Sequence, residues 1–542
     1  MGKSKTPSFV LTLEMEANNS VIKAIEDYLE IARVIYNSCL GELLKREKQM
    51  KREKKYKKIR RCIRAVSQKI AYFEEKKDKE KVNFYKKEKD TLFKGLFEYQ
   101  LKCGVTEYAM HDFANPIRSH FGKRMNSLIS QKVATRAWNT FQKKLKGDAK
   151  RVHFIKKGEM ASFEGKNNST GWIYRNKSIV FEGKTIDLKV PKKDLYIQEA
   201  LSTIHKEAEF QYKNKEGQIE KASYKVKYVR ILKRVIRGNV RYFAQLTVQG
   251  FPPPKRNKDG SFKRVLGKGR VGGDLGVSSI AVVGENKALL SNLAEDVKDI
   301  SCKIRLIQRK MERSKRVSNP GFFNENGTIK RGKKIWVYSK RYLKLKSNLK
   351  ERYRKQAAIR KLSHNQLANK LLSFGDEHYW EEMHIKGLQK RAKKTEISEK
   401  TGKYKRKKRF GKSIGHRSPA TFIKTLESKV IAQGGTFKKV NTIKFKASQY
   451  DHKTNKCNKK ELTQRWHLFD DGTKVQRDLY SAFLLKNSNK ARTKSNQKLC
   501  EETYQTFKNL HDKEIQRIEE LDFIVLNSGV KIKNKKATEV AS

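Results

Sequence analysis

A run of three prolines interrupts the chain near its middle. Three of the eight prolines stand together in Phe251–Pro254, and a stretch rich in glycine and lysine follows from Lys255 to Lys268. Proline fixes φ and lacks an amide donor, so consecutive prolines end both helices and sheet ladders. The stretch after them offers little apolar surface to bury. The run therefore predicts a linker, residues 253–268, between two folded parts of the chain.

The part before the linker begins with alternating apolar residues and continues with helical spacing. Phe9, Leu11 and Leu13 alternate with polar residues, which predicts a strand over Ser8–Glu14. From Ser20, apolar residues recur at helical spacing, and this pattern continues with breaks to about Lys146. We predict a helical domain over residues 20–147. Its many lysines form either a solvated surface or a surface that follows phosphates, and the sequence does not separate these alternatives.

At Arg151 the hydrophobic pattern changes from helical spacing back to alternation. Ile186, Leu188 and Val190 alternate with polar residues, and a tight turn is predicted at Gly238-Asn239. These patterns predict a small β-barrel domain made of residues 1–19 and 148–252. The helical domain would be an insertion in it.

The charge of the chain points to a polyanionic partner. The sequence contains 126 Lys+Arg and 57 Asp+Glu, and 126 − 57 leaves a net charge of +69. Nucleic acid is the commonest partner for such a surplus. Hydrophobic residues at 37% and aromatic residues at 10% still provide for packed cores.

Several classes of protein are excluded by simple absences in the sequence. No run of about 18 uncharged apolar residues is present, so no membrane span is expected. The first residues, MGKSKTPSF, lack the apolar segment of a signal peptide. The six cysteines are scattered without a CxxC pair, which excludes a disulfide framework and a standard zinc site. A reducing intracellular compartment is therefore predicted.

After the linker, strands and helices alternate. A strand, a turn and a second strand are predicted over Val271–Val283, and a helix over Tyr338–Leu372. A strand follows at His378–Met383, then a helix that starts at Ser418-Pro419 with Ser418 as its N-cap, then a strand region at Thr436–Phe445. This alternation predicts an α/β layer fold.

Three acidic positions lie at the ends of predicted elements in this second part. They are Asp274 at the end of a strand and before a glycine turn, Glu381 with its neighbour Glu382 at a strand end, and Asp478 at a helix start. Carboxylates that converge from different elements could hold Mg²⁺ ions for phosphodiester hydrolysis. Each position also has a plainer interpretation: a turn residue, surface charges, or a helix cap.

The segments around these acids resemble a known family. Gly272–Val277 (GGDLGV), Trp380–Leu388 (WEEMHIKGL) and Gln476–Ala482 (QRDLYSA) are similar, in this order, to the three motifs of a split RuvC-like nuclease. The chain thus resembles the TnpB family of transposon-encoded, RNA-guided nucleases, which are related to miniature type V CRISPR effectors. The resemblance is good over Val271–Leu485 and aligns Glu381, not Glu382, with the metal ligand.

The resemblance implies a multidomain protein that cuts DNA under the direction of an RNA. A nuclease domain of RNase H-like fold (residues 269–542) would bind two Mg²⁺ ions through Asp274, Glu381 and Asp478. An oligonucleotide-binding-like β barrel, often called the wedge domain, and the inserted helical recognition domain would hold a noncoding guide RNA. The target would be double-stranded DNA in a prokaryotic cytoplasm. The alternatives are a nuclease-inactive RNA-guided DNA-binding regulator, a miniature CRISPR effector, and a transposase that acts without RNA.

The sequence departs from the family between the second and third motifs. The family usually has a zinc ribbon of two CxxC pairs there, but residues 446–474 contain one cysteine, Cys457. His452, Cys457 and His467 could form a reduced zinc site. The alternative is a degenerate ribbon that packs without metal around Trp466, Leu468 and Phe469, and we expect no Zn²⁺ because four ligands are the usual requirement. Tyr480 also stands where the family usually has Asn.

A basic loop lies between the second motif and the next helix. It contains five consecutive cations flanked by Tyr404 and Phe410. The loop is either solvated or binds nucleic acid, with the two aromatic rings stacking on bases. The five candidate nucleic-acid-binding residues are Lys405, Arg406, Lys407, Lys408 and Arg409.

Overall fold

The computed structural model divides the chain into two compact units, Met1–Pro253 and Pro254–Ser542. The boundary lies within the proline run. The structure describes residues 6–532 except 77, 215, 258, 393–394, 400–401, 403, 405–409, 462 and 522.

The first unit contains a sheet, a set of helices inserted in it, and a short separate hairpin. Its elements in chain order are β1 (Ser8–Met15), α1 (Asn19–Arg52), α2 (Lys54–Glu75), α3 (Lys79–Lys102), α4 (Glu107–His120), α5 (Ser127–Leu145), β2 (Ser162–Glu164), β3 (Ile173–Arg175), β4 (Ser178–Phe181), β5 (Lys184–Lys189), α6 (Leu195–His205), β6 (Glu209–Lys213), β7 (Ile219–Ser223), β8 (Lys225–Ile236) and β9 (Asn239–Gln249).

The first strand belongs to the same sheet as the strands that follow the helices. β1 pairs antiparallel with β9 over seven residues and with β5 at its end. The seven strands take the order β2-β8-β9-β1-β5-β4-β3. The helices α1 to α5 therefore form an insertion between strands of one sheet, as the alternation at Phe9, Leu11 and Leu13 indicated.

The predicted barrel is wrong, because this sheet is open. Among the described residues no pairing joins its two edge strands, β2 and β3, each of three residues. The face that a barrel would turn inward packs against α1 instead. The ring of Tyr28 lies 5.2 Å from Phe163, 5.9 Å from Trp172 and 5.3 Å from Phe181, measured between ring centroids. The apolar face of the sheet is thus buried against a helix, and the sheet does not have to close on itself to bury it.

The predicted turn between the two longest strands is displaced by one residue. Ile236 pairs with Asn239, so the loop consists of Arg237 and Gly238. Both have positive φ, 51° and 87°. This is the pattern of a two-residue hairpin turn whose twist matches the flanking strands.

The second unit alternates strands and helices, as predicted. Its elements are β10 (Arg270–Leu275), β11 (Ser279–Val283), β12 (Ala288–Asn292), α7 (Ser301–Val317), α8 (Lys340–Leu371), β13 (Glu377–Glu381), α9 (Ile385–Leu388), α10 (Gly411–Arg417), α11 (Pro419–Ala432), β14 (Thr436–Val440), α12 (Thr442–Phe445), β15 (Tyr450–Asp451), β16 (Lys456–Cys457), β17 (Trp466–Leu468), β18 (Lys474–Gln476), α13 (Arg477–Lys486) and α14 (Gln497–Glu519).

A mixed five-stranded sheet organises this unit. The strand order is β12-β11-β10-β13-β14; β10, β13 and β14 run parallel, and β11 is antiparallel to both of its neighbours. One face packs against α13 and α14, and the other against α8 and α11. Apolar residues therefore occur on both faces of β11, where all five positions are buried.

Two local predictions in this unit need correction. Ser418 precedes α11, but its side chain caps no backbone amide, because α10 runs directly into α11 and Ser418 takes the left-handed conformation between them (φ 47°). The strand region at Thr436–Phe445 ends at Val440. Asn441 then accepts hydrogen bonds from the amides of Ile443 and Lys444 and starts a short helix.

Among the described residues, no helix combines the length and the apolar character that crossing a membrane would require.

Candidate active site

Asp274 lies in a strand rather than in a turn. It pairs with Ala281 across the β10–β11 ladder, and the turn begins after it at Gly276. Side chains alternate along a strand, so Asp274 shares a face of the sheet with Gly272. That face is the one covered by α13, because a Cβ placed on Gly272 would lie 1.9 Å from the carbonyl oxygen of Ala482 in that helix.

Glu381 ends the neighbouring parallel strand on the same face. The register pairs Gly273 with Trp380, which places Asp274 and Glu381 beside each other, one residue further along. Tyr379, two residues before Glu381, packs in the core formed with α13. The parallel direction of β10 and β13 therefore brings both carboxylates to one edge of the sheet. Glu382 is exposed and lies just beyond the end of β13.

Asp478 reaches this edge from the first turn of α13. The residue that caps this helix is Gln476, not Asp478. The Asp478 carboxylate is held by Arg477, whose Nε lies 3.4 Å from Oδ1. Arg477 also donates to the carbonyl oxygen of Gln464 at 2.9 Å. Its guanidinium therefore joins the loop before β17 to the carboxylate.

The three carboxylates interact electrostatically. Burial raises the pKa of Asp274 well above its ordinary value, and the charges of Glu381 and Asp478 raise it further, while Arg477 opposes them. Burial and the charge of Asp478 raise the pKa of Glu381 to about 7. A cation placed among these groups would reverse both effects, because it stabilises the ionised form.

The cluster is open in this structure. Within the described part of the chain, no three His, Cys, Asp or Glu side chains stand close enough together to enclose a metal ion. The donor set itself, three carboxylates on a half-buried surface, is of the kind that Mg²⁺ prefers. Enclosing an ion would require these side chains to rotate toward one another.

Two glycines allow this packing, and both lie in the first motif. α13 approaches so closely that a Cβ on Gly272 would lie 1.9 Å from Ala482 O and 2.3 Å from Lys486 N. On the opposite face, a Cβ on Gly273 would lie 2.6 Å from the indole ring of Trp380. Gly272 thus sets the distance between the strand that carries Asp274 and the helix that carries Asp478, and Gly273 makes room for Trp380 on the other face.

His378 supports the strand that carries Glu381, and its imidazole is fully buried. One ring nitrogen, Nε2, lies 3.1 Å from Gly375 O, and the other, Nδ1, accepts from Trp380 Nε1 at 3.3 Å. These partners assign the neutral tautomer with its proton on Nε2. Burial lowers the pKa of His378 to about 4.

This histidine predicts a loss of stability in mild acid. The unfolded chain binds the proton near pH 6.5 and the folded chain near 4, so stability is complete above about 6.5 and falls as the pH drops between these values. We expect the single group to contribute about 2 kcal/mol to the difference in unfolding free energy between pH 7.5 and 5. His378→Gln keeps an acceptor and a donor but does not titrate. Urea unfolding of this variant at both pH values should therefore lack the contribution of His378 to the pH dependence of the unfolding free energy. The exposed His120→Gln serves as the control, and equal pH dependence of both variants would refute the assignment.

The candidate zinc ligands have other partners. His452 Nδ1 lies 2.7 Å from the Tyr480 hydroxyl, and His467 Nε2 lies 3.1 Å from Asp451 Oδ2. The other nitrogen of His467 contacts the Lys460 ammonium. Cys457 is exposed on β16. The two histidines are therefore parts of a hydrogen-bonded core.

The composition of that core differs from the prediction in one residue. Phe469 is buried, but Leu468 is 56% exposed, because alternation along β17 turns His467 inward. The Tyr480 ring stacks on His467 with centroids 4.7 Å apart. Tyr480, the departure in the third motif, thus binds the 446–474 insertion to α13.

The basic loop is described only in part. Lys405, Arg406, Lys407, Lys408 and Arg409 lie outside the described residues. The flanking rings of Tyr404 and Phe410 are 75% and 37% exposed, so both have surface available for stacking.

Sequence reasoning missed Gln476, Trp380 and His378. Gln476 lies in the third motif, Trp380 in the second, and His378 just before the second. Their position in or beside the motifs could therefore have pointed to them. The partners of Gln476 and Trp380, however, include distant segments of the chain, whereas His378 binds Gly375 and Trp380 close by in sequence.

No family model and no curated protein matches the chain. Two solved structures show some similarity, each at 13% identity. The first is described as the cryo-EM structure of the Cas12f1-sgRNA-target DNA complex; it has a TM-score of 0.38 and covers 89% of this chain and 99% of that one. The second, a CRISPR-Cas12f ternary complex, has a TM-score of 0.23 and covers 90% and 100%. At these TM-scores the likeness establishes neither family nor activity.

Proposed function

We propose that this chain is an RNA-guided DNA endonuclease of a mobile element, with an RNase H-like nuclease domain in its second unit. The observation that carries the proposal is the arrangement of Asp274, Glu381 and Asp478. The three motifs that resemble a RuvC-like nuclease supply these residues from β10, β13 and α13, and the charge of Asp478 raises the pKa of both Asp274 and Glu381. The retention of all three favours an enzyme over a nuclease-inactive regulator.

The three carboxylates would hold Mg²⁺. When bound, this ion supplies charge neutralisation at the phosphodiester and a more acidic water. Asp274 is fixed by its ladder pairing, and Asp478 by Arg477 and the cap of α13. These contacts fix the backbone at two of the three carboxylates.

The proposed partners are a noncoding guide RNA and the double-stranded DNA that it matches, in a prokaryotic cytoplasm. The net charge of +69 supports a polyanionic partner. Purification of the full chain with its bound RNA, followed by sequencing of that RNA, tests the proposal. A defined transcript that ends in a variable guide, and Mg²⁺-dependent cleavage of DNA matched to that guide, are expected. The absence of any enriched RNA would refute it.

We further propose that the 446–474 insertion folds without zinc, because its histidines bind Tyr480, Asp451 and Lys460 instead. Elemental analysis of the purified chain is expected to find far less than one zinc per molecule, and a zinc chelator should leave the Tm unchanged. A stoichiometric zinc whose removal lowers the Tm would contradict this proposal.

A further inference from the structure

Gln476 is completely buried at the junction of β18 and α13, two residues before Asp478. Its side-chain oxygen, Oε1, accepts hydrogen bonds from the amides of Asp478 and Leu479, both at 2.8 Å. Ser, Thr, Asp and Asn are the usual residues at this position of a helix. The longer Gln side chain therefore accepts hydrogen bonds from the first-turn amides of α13 while Gln476 itself is fully buried.

The other end of the same amide binds the C-terminal part of the chain. Gln476 Nε2 donates to the carbonyl oxygen of Ser528 at 3.2 Å. The backbone amide of Gln476 donates to His511 Nε2 in α14 at 2.8 Å. One residue thus joins the turn that carries Asp478 to two segments that follow it in sequence.

The segment that Gln476 contacts is firmly docked. We call residues 525–530 the C-terminal segment. Val525 and Ser528 are buried, and the Ser528 hydroxyl donates to Val525 O at 2.8 Å and accepts from Val530 N at 3.1 Å. Trp466 Nε1 donates to Gly529 O at 3.2 Å. Gly529 has φ 73°, and a Cβ there would lie 2.5 Å from Arg465 Cβ.

We infer that Gln476 is a positioning residue for Asp478 and that it links the docking of the C-terminal segment to the metal-binding carboxylate. This inference rests on the proposed function. An uncharged amide of this length can accept from two amides of the helix and also donate to a carbonyl, which an ionised carboxylate cannot do. Contacts that orient metal ligands in this way commonly change metal affinity or activity by about 10- to 100-fold when removed.

Two substitutions separate the two ends of the amide. Gln476→Met removes both, whereas Gln476→Glu keeps the acceptor for the helix amides but turns a carboxylate oxygen toward Ser528 O. Both variants are expected to cut matched DNA with kcat about 10- to 100-fold lower, and Gln476→Met to bind Mn²⁺ about 10-fold more weakly in calorimetric titration. Guide RNA and target binding should not change. Gln505→Met, at an exposed amide of α14, is the matched control.

A third variant changes the C-terminal segment instead of Gln476. Gly529→Ala forces the C-terminal segment away from Arg465, so it should slow cleavage by itself, and Gln476→Met should add little in its background. If the double variant loses cleavage activity by the product of the two separate fold-losses, the inference is overturned. Wild-type cleavage and Mn²⁺ affinity in Gln476→Met would also overturn it. If the unmodified protein cuts no matched DNA, the proposed function fails, but Mn²⁺ titration still decides the role of Gln476.

Discussion

Replacement of Asp274 by Ala is expected to reduce DNA cleavage at least about 10³-fold while guide RNA and target DNA remain bound. Burial and the charges of Glu381 and Asp478 raise the pKa of Asp274 well above its ordinary value. Its removal takes away a ligand that no other side chain on that face of β10 can replace, since the other two positions there are the cation Arg270 and Gly272, which has no side chain. Cleavage of a matched, labelled duplex at saturating Mg²⁺ measures the effect, and gel-shift titration measures binding.

The exposed neighbour of Glu381 provides a control for this experiment. Glu382→Ala removes a carboxylate from the same motif, but one that does not face Asp478. This variant should cut at the wild-type rate, whereas Glu381→Ala should behave like Asp274→Ala. Wild-type cleavage by Asp274→Ala, or an equal loss in Glu382→Ala, would show that the site is assigned to the wrong residues.

Gly272→Ala is expected to cause the largest loss of stability of any single methyl group added to the second unit. The new Cβ would lie 1.9 Å from Ala482 O and 2.3 Å from Lys486 N, and both are backbone atoms of a buried helix. Since these atoms cannot rotate away, α13 must move as a whole. We expect a loss of about 3 kcal/mol or more in the free energy of unfolding, measured by urea denaturation.

The same substitution should also reduce cleavage, because α13 carries Asp478. Gly415→Ala is the matched control, since a Cβ there meets no atom within 4 Å and the residue lies in the helix α10. This control should leave stability within about 1 kcal/mol of the wild type. A Gly272→Ala protein as stable as Gly415→Ala would mean that α13 does not rest on β10 as described.

Much of the local structure followed from the sequence. The alternation at Phe9, Leu11 and Leu13 gave β1, and the strand, turn and strand over Val271–Val283 gave β10 and β11. The long helix predicted over Tyr338–Leu372 is α8. These elements are encoded by hydrophobic periodicity, which is a property of residues close together in the sequence.

The errors arose where packing or an adjoining element decided the outcome. The barrel failed because α1 covers the sheet with Tyr28, and Ser418 lost its cap role because α10 runs directly into α11. Leu468 proved exposed because the short strand β17 turns His467 inward instead. The first of these outcomes cannot be read from the residues of the sheet, because Tyr28 belongs to a helix elsewhere in the chain.

The sequence alone determined the division at the proline run, the large excess of positive charge, and three acidic residues at element ends. Those features depend on composition, on backbone chemistry and on local order. Only the tertiary structure decided that Asp274 and Glu381 share one face of adjacent parallel strands, and that Gln476 joins Asp478 to the C-terminal segment. The physical reason is that register, sheet face and buried hydrogen bonds are set by packing between segments far apart in the chain.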